Sequence, residues 1–232
     1  IRTCLFMVFN TLVTLQIIAI LVIIIALVYM FRSGSTYTHV LMLAFLVAEM
    51  VHSAGYLLEL LSKTEDEAMH AICVEYLGGG IVTILFMMFV CNYCGVKANI
   101  WLERFLLICG CLSVTLVWTN PYHNLYYPEI DFVETGLMPH VVLTHGVGFY
   151  FFIVTCTVIP WAISEVVVFR SLIKEKNVKR RRKLLFIICG TTFAITTLIL
   201  YVHGVFPEGY DPTPLCLSFM FPILVIFVWN RK

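Results

Sequence analysis

Charged residues are scarce in this sequence. Asp, Glu, Lys and Arg supply 12% of its 232 residues, whereas an ordinary soluble domain has about 25%. Hydrophobic residues supply 61%, and between the apolar runs there is no room for a soluble domain. The scarcity of charge therefore excludes a soluble globular protein and predicts a polytopic membrane protein.

Several motifs are missing, and each absence weighs against a class of function. No apolar run has an interior lysine, so a retinal protein, which needs one for its Schiff base, is excluded. No His-x-x-x-His pair supports an intramembrane zinc hydrolase, although three histidines could converge with Asp211. Transporters often have repeated halves with Gly- or Pro-broken helices in matching places, and Pro160 and Pro222 do not match in that way. Transporter and intramembrane enzyme remain alternatives.

The nine cysteines fall mostly inside apolar runs, as inert core thiols do. Cys91-x-x-Cys94 lacks the second pair of ligands that a zinc site would need. We therefore predict no metal, no cofactor and no required disulfide.

Seven apolar runs approach or exceed the roughly 20 residues that a membrane-spanning helix needs. They cover residues 5–31, 38–62, 70–94, 101–119, 144–170, 184–203 and 213–229. The first is longer than the apolar part of a signal peptide, about 7 to 15 residues, so it is expected to be retained. The sequence thus predicts an all-α membrane protein, a single seven-transmembrane helix bundle over residues 1–232.

The distribution of basic residues predicts the orientation. All of the 15 Lys and Arg residues except Arg2 and Lys63 follow the first, third, fifth or last run. By the positive-inside rule the N-terminus lies outside and the C-terminus in the cytoplasm. The basic run Lys179–Lys183 is interpreted as a topology determinant that touches anionic membrane lipids rather than nucleic acid.

Small residues and prolines distinguish the helices. Gly78–Gly80 would permit close helix approach, so the third helix is expected to be central. The first helix, in which Gln16 is one of few polar residues, is expected to be peripheral with no face hidden from lipid. Pro160, followed by Trp161, and Pro222 each remove a backbone hydrogen bond within a run, and these three residues are candidates for signal transmission.

Polar residues in the outer half of the runs predict a cavity open to the outside. Glu49, His52, Tyr56 and Glu59 share one face of the second helix, and an ionisable group in a bilayer costs about 2.5 to 3.5 kcal/mol. The ligand-binding candidates are Glu49, His52, Tyr56, Glu75, Tyr76, Trp118, Asn120, His123, His145, Tyr150, Tyr201, His203 and Asp211. Alternatively, the Glu and His residues pair inside the bundle, and the aromatic residues form an interfacial belt.

The stretch Trp118–Pro128 ends the fourth run and begins the longest polar loop. Proline disfavours helical geometry at the residue before it, so the helix should stop near Asn120-Pro121. The stretch also mixes several aromatic rings with His123 and two asparagines. This composition suits a membrane–water boundary and predicts a lid or one wall of a binding site.

Four motifs, in order and spacing, resemble a known family. They are Trp118-Thr-Asn-Pro-Tyr-His123, Glu75-Tyr76-Leu-Gly, Gly146 before the fifth helix and Asp211-Pro-Thr-Pro214 before the seventh. This pattern resembles the N-terminal seven-helix sensor region of bacterial histidine kinases and related diguanylate cyclases. The resemblance covers nearly the whole chain.

The resemblance implies a multi-pass receptor in the bacterial plasma membrane that binds an extracellular small molecule. It also implies that the last helix joins the receptor, in cis, to a cytoplasmic kinase, cyclase or phosphatase module, and that the intact protein is a homodimer. The sequence given ends at Arg231-Lys232, where such a module would begin. We therefore expect a sensor region without enzymatic activity of its own and without the output domain.

Overall fold

The computed structural model describes residues 2–32, 36–134, 139–206 and 210–229, with side chains only between residues 11 and 228. Arg231 and Lys232, where an output module was expected to begin, lie outside these residues. The helices are α1 (Arg2–Phe31), α2 (Tyr37–Leu61), α3 (Glu65–Tyr93), α4 (Ile100–Trp118), α5 (Asn120–His123), α6 (Val147–Phe152), a π-helical segment (Ile153–Val158), α7 (Ile159–Lys174), α8 (Val178–Val202) and α9 (Thr213–Trp229).

Six helical stretches within the described residues are long and apolar enough to cross a membrane. They are Thr11–Phe31, Tyr37–Leu61, Glu65–Tyr93, Ile100–Trp118, Val147–Lys174 and Val178–Val202. Helix α9 is also apolar but has 17 residues. The predicted multi-pass helical architecture is confirmed. Each predicted run overlaps one helix, except that the fifth overlaps α6, the π-helical segment and α7.

Side-chain caps explain where several helices begin. The hydroxyl of Thr36 accepts a hydrogen bond from the His39 backbone N–H at the start of α2, and Asn99 caps α4 in the same manner. Asn177 accepts from the backbone N–H groups of Lys179 and Arg180 at the start of α8. Because these caps pair backbone N–H groups that a helix leaves open, the helices start at defined positions.

Helix α3 lies at the centre of the bundle, as its glycines predicted, and it contacts α2, α4, α7 and the π-helical segment. A Cβ at Gly78 would lie 2.1 Å from the carbonyl oxygen of Ala48 in α2. A Cβ at Gly110 of α4 would lie 2.5 Å from the carbonyl oxygen of Gly80. The backbone of α3 therefore meets its neighbours where side chains are missing.

Helix α1 contacts α2 and α9 and exposes Leu21 and Ile25 on its other side. Its Gln16 is nevertheless fully buried, and the amide Nε2 donates to the carbonyl oxygen of Ser53 at 3.1 Å and to its hydroxyl at 2.7 Å. The expectation that α1 has no face to hide is therefore wrong, because a buried amide needs partners that lipid does not provide.

Pro160 and Pro222 both interrupt helical hydrogen bonding. The π-helical segment ends at Val158, and the carbonyl of Cys156, four residues before Pro160, accepts a hydrogen bond from the Thr83 hydroxyl of α3. Pro222 lies inside α9 and supplies no N–H for the carbonyl of Ser218. Each proline thus leaves one carbonyl without its usual helical partner.

The loop after α5 contains a small hairpin that the sequence analysis did not anticipate. Strand β1 (Ile130–Val133) pairs antiparallel with β2 (His140–Leu143), with Ile130 opposite Leu143 and Val133 opposite His140. We call the end of the bundle that carries this hairpin the hairpin end. The opposite end carries Arg180 and the other basic residues of α8, and we call it the basic end.

Candidate functional site

Adjoining chambers open from the hairpin end into the bundle. The mouth chamber, about 90 Å³, is lined by Tyr56, Glu59, Leu60, Pro139, His140, Val141, Leu143, His145, Tyr201 and Asp211. The deep chamber has a volume of about 120 Å³ and includes His52, Glu75, Tyr76, Phe149, Phe152, Tyr201, Asp211 and Thr213 in its wall. Tyr201 and Asp211 belong to both walls, so the chambers adjoin.

Three acidic residues from separate elements meet where the chambers join. Glu59 lies in the last turn of α2, Glu75 lies in α3, and Asp211 lies two residues before α9. Glu59 and Glu75 line the same cavity together with Asp211. The Nδ1 atom of His52 lies 3.5 Å from Oε1 of Glu75. The described lining of both chambers contains no Lys or Arg, so the junction is an acidic site.

Asp211 is held in place from two sides. Its carbonyl oxygen accepts a hydrogen bond from the Tyr56 hydroxyl at 2.6 Å, and its Oδ1 accepts from the backbone N–H of Thr213 at 2.8 Å. Burial raises the pKa of the Asp211 carboxyl to about 6, and the bonds to Thr213 oppose this rise. The start of α9 is therefore attached to α2 beside the acidic junction.

Asp211→Asn is expected to raise the melting temperature above that of the unsubstituted protein at pH 7.5. The pKa of Asp211 is raised from 3.8 to about 6 in the folded protein, so folding favours the protonated carboxyl. The native state is therefore destabilised progressively as the pH rises from about 4 through 6. Asparagine keeps the acceptor for Thr213 without the charge.

Melting curves of both proteins between pH 4 and pH 8 check this prediction. The two melting temperatures should converge near pH 4, where the carboxyl of Asp211 is protonated in the folded state as well. A constant difference across the whole range would contradict the assigned titration.

Aromatic rings line the chambers beside the acidic junction. The hydroxyls of Tyr76 and Tyr127 lie 3.0 Å apart, and Tyr76 packs edge-on against Phe152 with ring centroids 5.0 Å apart. His145 stacks on Phe149 at 3.7 Å. Burial raises the pKa of Tyr127 well above its usual value and lowers that of His145. At neutral pH the wall therefore carries no charge from either residue.

The motif Thr119–His123 braces the loop that supplies part of this wall. Asn120 is fully buried; its Oδ1 accepts from the backbone N–H groups of Tyr126 and Tyr127, and its Nδ2 donates to the carbonyl of Tyr127, all at 3.0 Å. His123 accepts from the backbone N–H of Leu125 at 2.9 Å. These two residues position Tyr127, and neither lines the chambers.

The structure places three other candidates outside the chambers. Trp118 is 48% exposed and donates from Nε1 to the carbonyl of Cys73 at 3.0 Å. Tyr150 is 59% exposed, and His203 lies on the surface at the end of α8. None of the three lines the chambers, which the sequence could not reveal because these residues lie at the ends of apolar runs, where no pattern separates an inward from an outward face.

Glu49 lies apart from the chambers and is fully buried. The Ser218 hydroxyl of α9 donates to its Oε1 at 3.0 Å, whereas Oε2 has no hydrogen-bond partner in the described part of the chain. Glu49 therefore links α2 to α9 rather than facing a ligand space.

Of the signal-transmission candidates, Trp161 lines a third chamber, which shares Thr213 with the deep chamber.

Some lining residues were not among the candidates. Glu59 was placed on the polar stripe of α2 by its spacing of three residues from Tyr56, a signal that would have justified adding it to the ligand-binding candidates. The hydroxyls of Thr83, Thr157 and Thr213 gave no such signal, because threonine within an apolar helix commonly bonds to its own backbone.

The chain matches the model of the family described as the N-terminal 7TM region of histidine kinase over residues 14–232. The match spans most of the sequence, so the chain belongs to this family, as the motifs indicated. Searches of curated proteins and of solved structures found no match. Together with the six apolar helices, the family assignment identifies a multi-pass membrane protein. The family itself is a sensor region of histidine kinases and is not catalytic.

Proposed function

We propose that this region is a seven-span receptor that binds a small ligand in the mouth and deep chambers and passes occupancy through α9 to a cytoplasmic output module. The observation that carries the proposal is the position of α9. This helix begins in the chamber wall at Asp211 and Thr213 and ends at the basic end, and two hydrogen bonds attach it to α2, the helix of the polar stripe.

Helix α9 supplies the seventh span, and the charge distribution supports the orientation. Its 17 residues correspond to about 25 Å of helix, near the short limit of about 17 residues for a spanning helix. Arg170 and the run Lys179–Lys183 lie at the basic end, so this end faces the cytoplasm and its anionic lipids. The hairpin end then faces outside, and ligand enters from there.

The two attachments of α9 lie at different depths. Near the outside, the Tyr56 hydroxyl bonds to the carbonyl of Asp211. Near the middle, Ser218 bonds to Glu49, and the Ser218 carbonyl is the one that Pro222 leaves without a helical N–H. A ligand that moves the outer end of α9 would therefore act on a helix whose hydrogen bonding is weakest where it is attached to α2.

An aromatic cluster favours a receptor over a transporter. Phe221 of α9 packs against Phe45 of α2 and Phe86 of α3 with ring centroids 4.6 Å and 5.3 Å apart, and all three rings are buried. This cluster fills the centre of the bundle on the basic-end side of the chambers and couples α9 to the helices that line them.

Output modules of this kind act as dimers, so two chains would bring their α9 helices together.

In the full-length protein, Pro222→Ala is expected to change basal or ligand-stimulated autophosphorylation with little change in ligand affinity. Alanine supplies the N–H that the carbonyl of Ser218 lacks, so the helix becomes straighter and stiffer below the chambers. Ile223→Ala, at a half-exposed position of the same helix, is the matched control. Kinase assays in membranes at equal expression measure the difference.

A ligand shifts a two-state equilibrium through its different affinities for the two states, so a stiffer α9 must alter the output if this helix carries the signal. Equal autophosphorylation by Pro222→Ala, Ile223→Ala and the unsubstituted protein would show that Pro222 is a static kink and that the signal leaves by another helix.

A further inference from the structure

The chambers combine an acidic junction with an apolar body. Glu59, Glu75 and Asp211 surround the junction, and the described lining contains no Lys or Arg to neutralise them. An anionic ligand would be repelled there, whereas a cation would gain charge-assisted hydrogen bonds. The charge of the lining therefore selects for a positively charged ligand.

The hydroxyl of Thr213 gives an independent indication of a ligand. Thr213 is 8% exposed and lies in the wall of the deep chamber. Its Oγ1 lies close to the Asp211 carboxyl but makes no well-formed hydrogen bond among the described residues. A buried hydroxyl without a partner costs about 1 to 3 kcal/mol. A ligand with N–H groups at the junction, two residues from Asp211, would supply the missing hydrogen bond.

The remainder of the deep chamber suits an apolar group. Its wall includes the rings of Phe149 and Phe152 and the aliphatic side chains of Ile153, Leu198 and Leu217. Aromatic faces also attract cations, and Tyr76 and Tyr201 line both the deep chamber and the junction. A cation with an apolar body, an organic cation, therefore fits this lining.

We propose that the ligand of this receptor is a small amphiphilic amine. Its ammonium group binds Glu75, Asp211 and the Thr213 hydroxyl, and its apolar body occupies the deep chamber. Because Asp211 and Thr213 begin α9 while Glu75 belongs to α3, the ammonium bridges the output helix and the central helix. This assignment rests on the receptor function proposed above and specifies its ligand class.

The test uses full-length protein in lipid nanodiscs and three probes of similar shape. Binding of 2-phenylethylamine, 2-phenylethanol and 3-phenylpropionate is measured by isothermal titration calorimetry at pH 7.5. The amine is expected to bind at least about tenfold more tightly than the alcohol, because charge-assisted hydrogen bonds are roughly twice as strong as neutral ones. The carboxylate is expected not to bind.

Two variants connect the charge preference to the junction. Glu75→Gln should weaken amine binding by about tenfold or more and leave alcohol binding unchanged. Glu165→Gln removes a carboxyl that bonds to Thr191 between α7 and α8, outside the junction, and should leave amine binding unchanged. If Glu75→Gln does not fold, Asp211→Asn, which retains the acceptor for the Thr213 N–H, takes its place.

Equal binding of amine and alcohol, preferential binding of the carboxylate, absence of amine binding, or an unchanged amine affinity in Glu75→Gln would overturn the proposal. None of these results bears on whether α9 carries the signal, which the kinase assay of Pro222→Ala tests without any amine. The two proposals can therefore fail separately.

Discussion

Gly78→Ala is expected to destabilise the bundle strongly, by about 3 kcal/mol or more, at the upper end of the usual cost of overpacking. The added methyl carbon would lie 2.1 Å from the carbonyl oxygen of Ala48 and 2.5 Å from the backbone nitrogen of His52. Both contacts are with the backbone of α2, so no side chain can rotate away. The two helices must separate, and His52 then moves relative to Glu75.

Gly190→Ala is the matched control. A methyl group there meets the terminal carbon of Met220 at 3.0 Å, and a flexible methionine can move at little cost. Thermal unfolding of the purified protein in detergent should therefore show a large loss for Gly78→Ala and a small one for Gly190→Ala. Equal melting temperatures for the two variants would contradict the close packing of α2 against α3.

Occupying the mouth chamber with a covalently attached group is expected to change kinase output by about fivefold or more, the usual lower limit of allosteric coupling. His145 lines this chamber together with Glu59 and Asp211. A cysteine at position 145, modified with a quaternary ammonium thiol reagent, would place a cation beside the two carboxyl groups. Since Asp211 is attached to α9, this occupancy should shift the position of the output helix.

Much of the helical architecture was predictable because a bilayer imposes simple rules on sequence. Apolar runs of suitable length must become helices, since the lipid cannot satisfy backbone polar groups. The predicted run 213–229 starts at the residue where α9 starts, because prolines and an acidic residue mark that point. The family also followed from motifs spread over the chain, although no single helix identifies it.

The hairpin and the π-helical segment could not be predicted in the same way. The strands β1 and β2 have four residues each, too few for alternation to exceed chance. Within the π-helical segment, the carbonyl of Cys156 accepts a hydrogen bond from the Thr83 hydroxyl of α3. Sequence around Pro160 predicts a break but not how a neighbouring helix accommodates it.

Within the site, the sequence located the polar stripe better than it separated ligand contacts from structural contacts. His52, Tyr56 and Glu59 line the chambers, because one face of α2 had to be hidden from lipid. Asn120 was a ligand-binding candidate because of its residue type, yet its side chain forms hydrogen bonds with the backbone of its own loop. Such local pairing depends on the turn, which residue types do not specify.

The most direct measurement is autophosphorylation of full-length His145→Cys in sealed proteoliposomes. The nine native cysteines are replaced in this protein, and a membrane-impermeant quaternary ammonium thiol reagent is added outside. The control is Tyr122→Cys, at a position that is 89% exposed in the native structure, near the hairpin end. Both cysteines should be modified from outside, and the reaction should change kinase output in His145→Cys while leaving Tyr122→Cys unaffected. Complete modification of His145→Cys with unchanged output, or modification from the cytoplasmic side alone, would contradict a receptor whose outward-facing chambers control α9.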